Sequence, residues 1–212
     1  MGAQRRIALY GGTFDPVHLG HLEIARRVLE LFEIEKVLFV PAQVAPHKMQ
    51  RPVTPPIHRY AMLALATQND PRLSISTFEL DAPDRRYTVD TVEHFQRVFE
   101  TIQGSSTELF FIMGADSWSE ITTWREWERL LSTINYIVVT RPGYDVDKTL
   151  PVPGARVLFT DEVMKDVSAT DVRRLARERR FDEVARLVPA PVAEYIRKYE
   201  IYRDTNERKL KR

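Results

Sequence analysis

Two histidines three positions apart, His18 and His21, stand just beyond a pair of glycines in the run Tyr10-Gly11-Gly12-Thr13-Phe14-Asp15-Pro16-Val17-His18-Leu19-Gly20-His21-Leu22. An apolar stretch, Ile7 to Tyr10, precedes this run, and an amphipathic one, Leu22 to Phe32, follows it. The pattern predicts a strand, a glycine turn and a helix. Glycines lack a Cβ, so the backbone can turn sharply and approach a ligand closely. The first amides of the helix have no partner within it, and the aligned peptide dipoles add partial positive charge there. Such a corner attracts phosphate. Imidazoles three residues apart on a first helical turn share a face and can meet one anion. Taken singly these features are ordinary, since paired glycines mark turns and a histidine is commonly a surface or core residue. Half of a metal site is disfavoured, because the chain has no cysteine and no carboxylates at ligand spacing nearby. No Gly-Lys pair occurs, so this is not a Walker loop, and the G-x-G-x-x-G spacing of dinucleotide folds is missing.

Other residue groups have the chemistry to complete a site. Ser168-Ala169-Thr170-Asp171-Val172-Arg173 reads first as a helix cap, with serine at the N-cap and aspartate at N3. Its hydroxyls, free amides and Arg173 also suit a second anion corner. Lys48, at the end of Ala45-Pro46-His47-Lys48, is by itself a solvated loop charge. Tyr87-Thr88-Val89-Asp90-Thr91 reads as a helix start capped by Thr88. Gly114-Ala115-Asp116-Ser117 closes an apolar strand. Beyond it, Trp124, Trp127 and Leu130–Leu131 cannot all face one way, which leaves one aromatic for a ligand. His58 and His94 fall inside helices and are read as structural.

The elements that must position these residues alternate. Strands are predicted at Ile7–Tyr10, Lys36–Val40, Leu73–Leu80, Glu108–Met113, Asn135–Thr140 and Arg156–Thr160. Helices are predicted from Leu22, from Thr54-Pro55-Pro56 to about Gln68, from Thr88 to about Gln103, and from a Thr123/Glu126 capping box to Leu131. Past Ser168 the chain reads as helix alone: Thr170 to about Arg180, Asp182–Leu187 and Val192–Tyr202. Polar loops are expected at Pro41–Lys48, Asp81–Arg86 and Tyr144–Gly154. Alternation of this kind predicts an α/β, doubly wound parallel sheet of Rossmann-like form with a C-terminal helical extension. The expected organisation is a core over 1–167, a helical subdomain over 168–202 and a polar tail over 203–212. Ligands of such sheets sit at the carboxyl ends of the strands where strand order reverses. Gly11-Gly12 and Gly114-Ala115-Asp116 would flank that point.

Net charge is +1, so bulk electrostatics favour neither nucleic acid nor an anionic membrane as partner. Anion binding must come from a local site. The lack of cysteine excludes disulfides and thiol catalysis. With no signal-like or membrane-spanning apolar segment in view, a cytoplasmic location is expected.

The string from Gly11 to His21 matches, residue for residue, the Gly-Gly-x-Phe-Asp-x-x-His-x-Gly-His pattern of the nucleotidyltransferase superfamily. From about Ile7 to Tyr202 the chain resembles bacterial nicotinate-mononucleotide adenylyltransferases. The resemblance implies adenylyl transfer from ATP to nicotinate mononucleotide, giving deamido-NAD and pyrophosphate. His18 and His21, with Lys48 and Arg173, would be the catalytic set. ATP would be bound by Gly11, Gly12, Thr13, Phe14, His18, His21, Gly114, Asp116, Arg141, Ser168, Thr170 and Arg173. Lys48, Tyr87, Thr88, Asp116, Trp124 and Arg125 would bind nicotinate mononucleotide, with Trp124 stacking on the pyridine ring and the Thr88 corner holding the carboxylate. The 167–173 string resembles Ile-Ser-Ser-Thr-x-Ile-Arg, with valine for both isoleucines and Ala169 for the second serine. Ala45 stands where the family has the first of two prolines. Mg²⁺ is expected with ATP, so no metal ligands are assigned, and a homo-oligomer is compatible with the reading. Three alternatives remain open on sequence: a preference for nicotinamide mononucleotide, a phosphopantetheine- or glycerol-phosphate-type sibling, and a non-catalytic nucleotide sensor.

Overall fold

Along each inner strand, successive side chains leave on opposite faces of the sheet, and here both faces are apolar. In the computed structural model, which describes residues 5–43, 53–82, 87–103, 107–140, 156–161 and 167–203, six strands form one sheet. They are β1 (Arg5–Gly12), β2 (Lys36–Pro41), β3 (Leu73–Ile75), β4 (Thr107–Gly114), β5 (Asn135–Val139) and β6 (Val157–Thr160). Their order is β3-β2-β1-β4-β5-β6 and every pairing is parallel. The chain therefore winds outward from β1 in one direction, returns, and winds outward in the other from β4. The switch point lies between β1 and β4. Tyr10 pairs with Ile112 there, which brings Gly12 and Gly114 to the same edge.

The helices are α1 (Leu19–Leu31), α2 (Pro56–Thr67), α3 (Thr88–Gln103), α4 (Ala115–Ser119), α5 (Trp127–Thr133), α6 (Ala169–Arg177), α7 (Phe181–Leu187) and α8 (Ala190–Lys198). Ala8, Tyr10, Val37, Phe39, Phe110 and Ile112 meet α1, α2 and α6–α8 in one buried cluster. Ile7, Leu9, Phe111, Met113, Tyr136 and Val138 meet α3, α4 and α5 in the other. Val192 and Ile196 of the C-terminal extension lie in the same cluster as Leu22 and Val28 of α1, so α6–α8 complete one face of the sheet rather than hang from it.

Several expected boundaries are corrected. Of Leu73–Leu80 only Leu73–Ile75 is strand. The Ser76 hydroxyl accepts the Phe78 N–H and Asp81 N–H returns to the Thr77 carbonyl, which turns the chain away from the sheet edge. The Thr123/Glu126 capping box does not form: Thr123 donates back to the Glu120 carbonyl, ending a short 3₁₀ turn over Ile121–Thr123. Glu126 takes a left-handed φ of 51° and α5 begins only at Trp127. The short helix α4 was not expected at all. Helix α1 begins at Leu19 with His18 as N-cap. Pro55 is the N-cap of α2. Helix α6 stops at Arg177, with Arg179 at φ 59°, and α8 spans Ala190–Lys198 because Glu200 and Tyr202 also turn left-handed.

A Cβ added at Gly11 would lie 2.8 Å from the ring of Phe111, which is itself walled in by the second cluster. Gly11→Ala is expected to cost about 1–3 kcal/mol through overpacking. The check is a lowered urea midpoint at an unchanged m-value.

Candidate active site

The sequence-predicted residues lie in segments that leave the carboxyl edge of the sheet. Residues 11–21 follow β1, the Tyr87–Thr88 corner opens the helix after β3, 114–125 follow β4, and 168–173 follow β6. Lys48 and Arg141 fall outside the described residues.

At the end of β1 the backbone passes through Phe14 with φ 48° and a cis Asp15–Pro16 bond before reaching α1. Phe14 is buried and its ring sits where any Cβ on Gly12 would be, 2.9 Å away, so the turn needs glycine there. The His18 N–H donates to Nδ1 of His21 at 3.2 Å. The two imidazoles stack with centroids 3.7 Å apart at 24°. Edge contacts from Phe14 (5.0 Å) and Tyr10 (6.1 Å) fix the His21 ring. Because Nδ1 of His21 is an acceptor, its Nε2 carries the proton in the neutral ring. His18 is only 7% exposed, and its Nδ1 is buried with no hydrogen-bond partner among the described residues. Burial pushes its pKa down to about 4, so the imidazole is neutral at pH 7. His18 therefore meets an anion as a neutral imidazole rather than as a charge.

Helix α6 points its start at the same turn. Ser168 is its N-cap: the hydroxyl accepts the Asp171 N–H at 3.1 Å and donates to the Asp171 carboxylate at 2.9 Å. Those bonds hold the Asp171 carboxyl below its usual range, with a contribution from Arg174. Arg173 reaches across to the Asp15 carbonyl at 2.5 Å and to the Thr170 hydroxyl at 3.0 Å. The capping reading and the convergence of this motif on the histidine corner thus hold together.

A second group forms on the other face. The Tyr87 N–H donates to the Asp90 carboxylate at 3.0 Å, and the Arg125 guanidinium lies 4.6 Å over the Tyr87 ring. Thr88 opens α3 beside them. Trp124 and Trp127 are both partly buried and rest against the second core cluster that contains Leu130 and Leu131, so, against expectation, all four meet one core. Gly114 is the N-cap of α4, and Asp116 is exposed in its first turn. His58 bonds Tyr195 at 2.8 Å, and His94 stacks on Phe78 at 3.7 Å, in line with their structural reading.

Sequence reasoning missed Arg59, Asp15 and Tyr202. Arg59 is fully buried and donates to the carbonyls of Thr54, Thr13 and Gln43. Asp15 accepts from the Thr54 N–H and from the Tyr202 hydroxyl. For Arg59 a signal existed: it precedes Met62 and Leu63 at the spacing of one helical face, so it had to be buried with them. Among the described residues no group of three or more His, Asp or Glu side chains is gathered to hold a metal, and no helix is long and apolar enough to cross a membrane. A cavity of about 270 Å³ lies at the opposite, amino edge, lined by Thr107, Glu108, Asn135 and Arg156. It is remote from this chemistry.

A parallel sheet whose strand order reverses between β1 and β4 defines a doubly wound α/β protein, a class that takes its ligands at that edge. Residues 9–175 match the family model described as cytidylyltransferase-like, and the chain belongs to that family. A probable nicotinate-nucleotide adenylyltransferase of Thermoanaerobacter sp. (strain X514) is 39% identical, covering 98% of this chain and 99% of its own length. One of the same name from Thermus thermophilus is 43% identical, covering 93% and 100% respectively. Among solved structures, Plasmodium falciparum nicotinic acid mononucleotide adenylyltransferase, complexed with NaAD, superposes with a TM-score of 0.77 over 94% of this chain and 98% of that one. At 18% identity it speaks for the fold.

The low pKa of His18 has a consequence for stability. Below pH 6.5 the unfolded chain protonates this histidine and the folded chain does not, so stability drops as pH falls from 6.5 toward 4. His18→Asn, which keeps an N-cap residue, should remove up to ~3 kcal/mol of that pH dependence. Paired urea titrations of the two proteins at pH 7.5 and 4.5 measure it.

Proposed function

We infer that this chain transfers the adenylyl group of ATP to nicotinate mononucleotide, releasing pyrophosphate and forming deamido-NAD, a step of NAD biosynthesis in the cytoplasm. The observation that carries the reading is the stacked His18–His21 pair at a glycine corner to which the α6 start is bonded. The names of the close relatives support the substrate assignment.

A phosphate oxygen of the mononucleotide attacks the α-phosphorus of ATP, and the bond from that phosphorus to the pyrophosphate oxygen breaks. The nucleophile is already an anion, so no general base is needed. The protein's work is to hold two anions in line and to stabilise the charge that shifts onto pyrophosphate. The N–H groups of His18 and His21 and the amides of the Gly11–Phe14 turn are proposed to take the triphosphate oxygens. Lys48, Arg141, Ser168, Thr170 and Arg173 are proposed to add to this set. Arg173 already spends two of its nitrogens on Asp15 and Thr170, so its first task is to lock the two corners together. Gly114 and Asp116 would receive the adenosine side and sugar hydroxyls. The triphosphate is expected to bring Mg²⁺, which would lend it positive charge, since that ion favours phosphate and water oxygens over a protein cage.

On the other face, the α3 start offers helix amides and a dipole to the nicotinate carboxylate. Asp90 already takes the Tyr87 N–H, leaving the amides beyond Thr88 for the ligand, and Arg125 lends positive charge beside them. Trp124 is proposed to stack on the pyridine ring.

The test is pyrophosphate release with ATP and Mg²⁺ against nicotinate mononucleotide, nicotinamide mononucleotide and phosphopantetheine. The nicotinate substrate should be strongly preferred. ATP binding without release from any of the three would mark a sensor instead. His18→Ala or His21→Ala should lower kcat by roughly 10²–10³-fold, and full activity in either would sink the assignment. Arg125→Met should narrow the preference for nicotinate over nicotinamide by about five-fold, the scale of one exposed charge, as read from the ratio of kcat/KM values.

A further inference from the structure

The turn that carries the phosphate corner is strained and does not hold itself. Phe14 sits at φ 48°, a conformation that costs a bulky L-residue about 1–3 kcal/mol unless its surroundings impose it. The restraints are on either side of it. The Thr13 carbonyl, immediately before Phe14, accepts from Arg59 at 2.8 Å. The Asp15 carbonyl, immediately after it, accepts from Arg173 at 2.5 Å. Each shoulder of the strained residue is therefore gripped by a guanidinium.

Arg59 does more than this one task. Its other nitrogens reach the Thr54 carbonyl at 2.9 Å and the Gln43 carbonyl at 3.2 Å. Thr54 is the entrance to α2, and Gln43 lies just past the end of β2. One planar fork thus sets the relative position of three chain segments. Its charge is balanced in part by the nearby carboxylates of Asp15 and Glu79. Asp15 ties its turn to the same α2 entrance and to a further segment, holding the Thr54 N–H at 3.1 Å and the Tyr202 hydroxyl at 2.8 Å.

We propose that Arg59, working with Asp15, is a positioning residue of the nucleotide site, holding the Thr13–Asp15 turn in its strained form so that the corner is set before ATP arrives. This rests on the adenylyl-transfer reading and adds to it a residue that touches no substrate. A merely structural Arg59 would matter for stability alone. A positioning Arg59 must change ATP recognition in protein that is still folded.

The experiment uses the full chain with Arg59→Lys. An ammonium donates from a single point and cannot replace a fork whose three nitrogens meet three separated carbonyls. Circular dichroism establishes that the variant is folded at the assay temperature. Kinetics then give kcat and the KM for ATP, and calorimetry gives the Kd for ATP. The expected result is a folded variant whose kcat/KM for ATP falls about 10–100-fold, with the Kd for ATP rising, as a misplacement on the 1 Å scale predicts. A folded variant whose ATP constants lie within about two-fold of wild type overturns the proposal, two-fold being under the worth of one hydrogen bond. Should Arg59→Lys not fold, Tyr202→Phe removes a single hydroxyl from Asp15. Its KM for ATP should rise about three- to ten-fold, and an unchanged value overturns the proposal. Failure of the activity reading is separately visible: wild-type protein would release no pyrophosphate, while the calorimetric comparison of variants would still decide the positioning role.

Discussion

A guanidinium taken wholly out of water has to recover several kcal/mol of lost hydration. Arg59 does so with one hydrogen bond from each of its three nitrogens, all to backbone carbonyls. Carbonyls cannot be moved about like side chains, so satisfying them fixes the main chain itself. The end of β1, the exit of β2 and the start of α2 must take one mutual arrangement or leave a buried charge unmet. Much of the carboxyl edge of the sheet depends on that demand. Asp15 repeats it with opposite sign, because its two carboxylate oxygens are met by an amide and a phenol from distant segments. The Tyr202 hydroxyl is in turn held in its protonated form by burial and by the neighbouring carboxylate.

The two faces of the sheet divide the chemistry. The face shared by α1 and α6 brings imidazoles, helix amides and an arginine to bear on one point, all suited to a polyanion. The face under α3 and α4 brings tryptophan, tyrosine and an arginine above it, suited to a flat ring bearing a carboxylate. The sheet edge between them, where Gly12 and Gly114 come level, lacks Cβ atoms on both sides. In the proposed reading, two substrates entering from either face would approach each other there.

The parts of this arrangement legible in the sequence were those encoded locally. Apolar runs marked the four inner strands, and the glycine–histidine string marked the corner, because turns and helix starts impose their own residue types. Ser168 was legible as a cap for the same reason. The extent of β3 was not, since Ile75, Phe78 and Leu80 carry strand propensity while the Ser76 side chain and the Thr77 carbonyl bend the backbone the other way. The start of α5 was hidden by a Thr-x-x-Glu pattern whose threonine bonds backward. Least legible were the partners of Asp15, 158 and 187 positions away in Arg173 and Tyr202. No periodicity encodes a pairing at that distance. Arg59 was visible only as an arginine on an apolar helix face, and nothing local names its three carbonyls.

The bond from Tyr202 to Asp15 also has a meaning in time. A ribosome adding about 5–20 residues per second exposes Asp15 long before Tyr202, and a span of 187 residues corresponds to roughly 10–40 s of synthesis. Through that interval the first strand and its corner exist without the partners that close them. A nascent chain would thus carry its corner unfinished, the Asp15 oxygen that Tyr202 meets left to water, until Tyr202 emerged. Nucleotide affinity would be a property acquired only once Tyr202 had emerged.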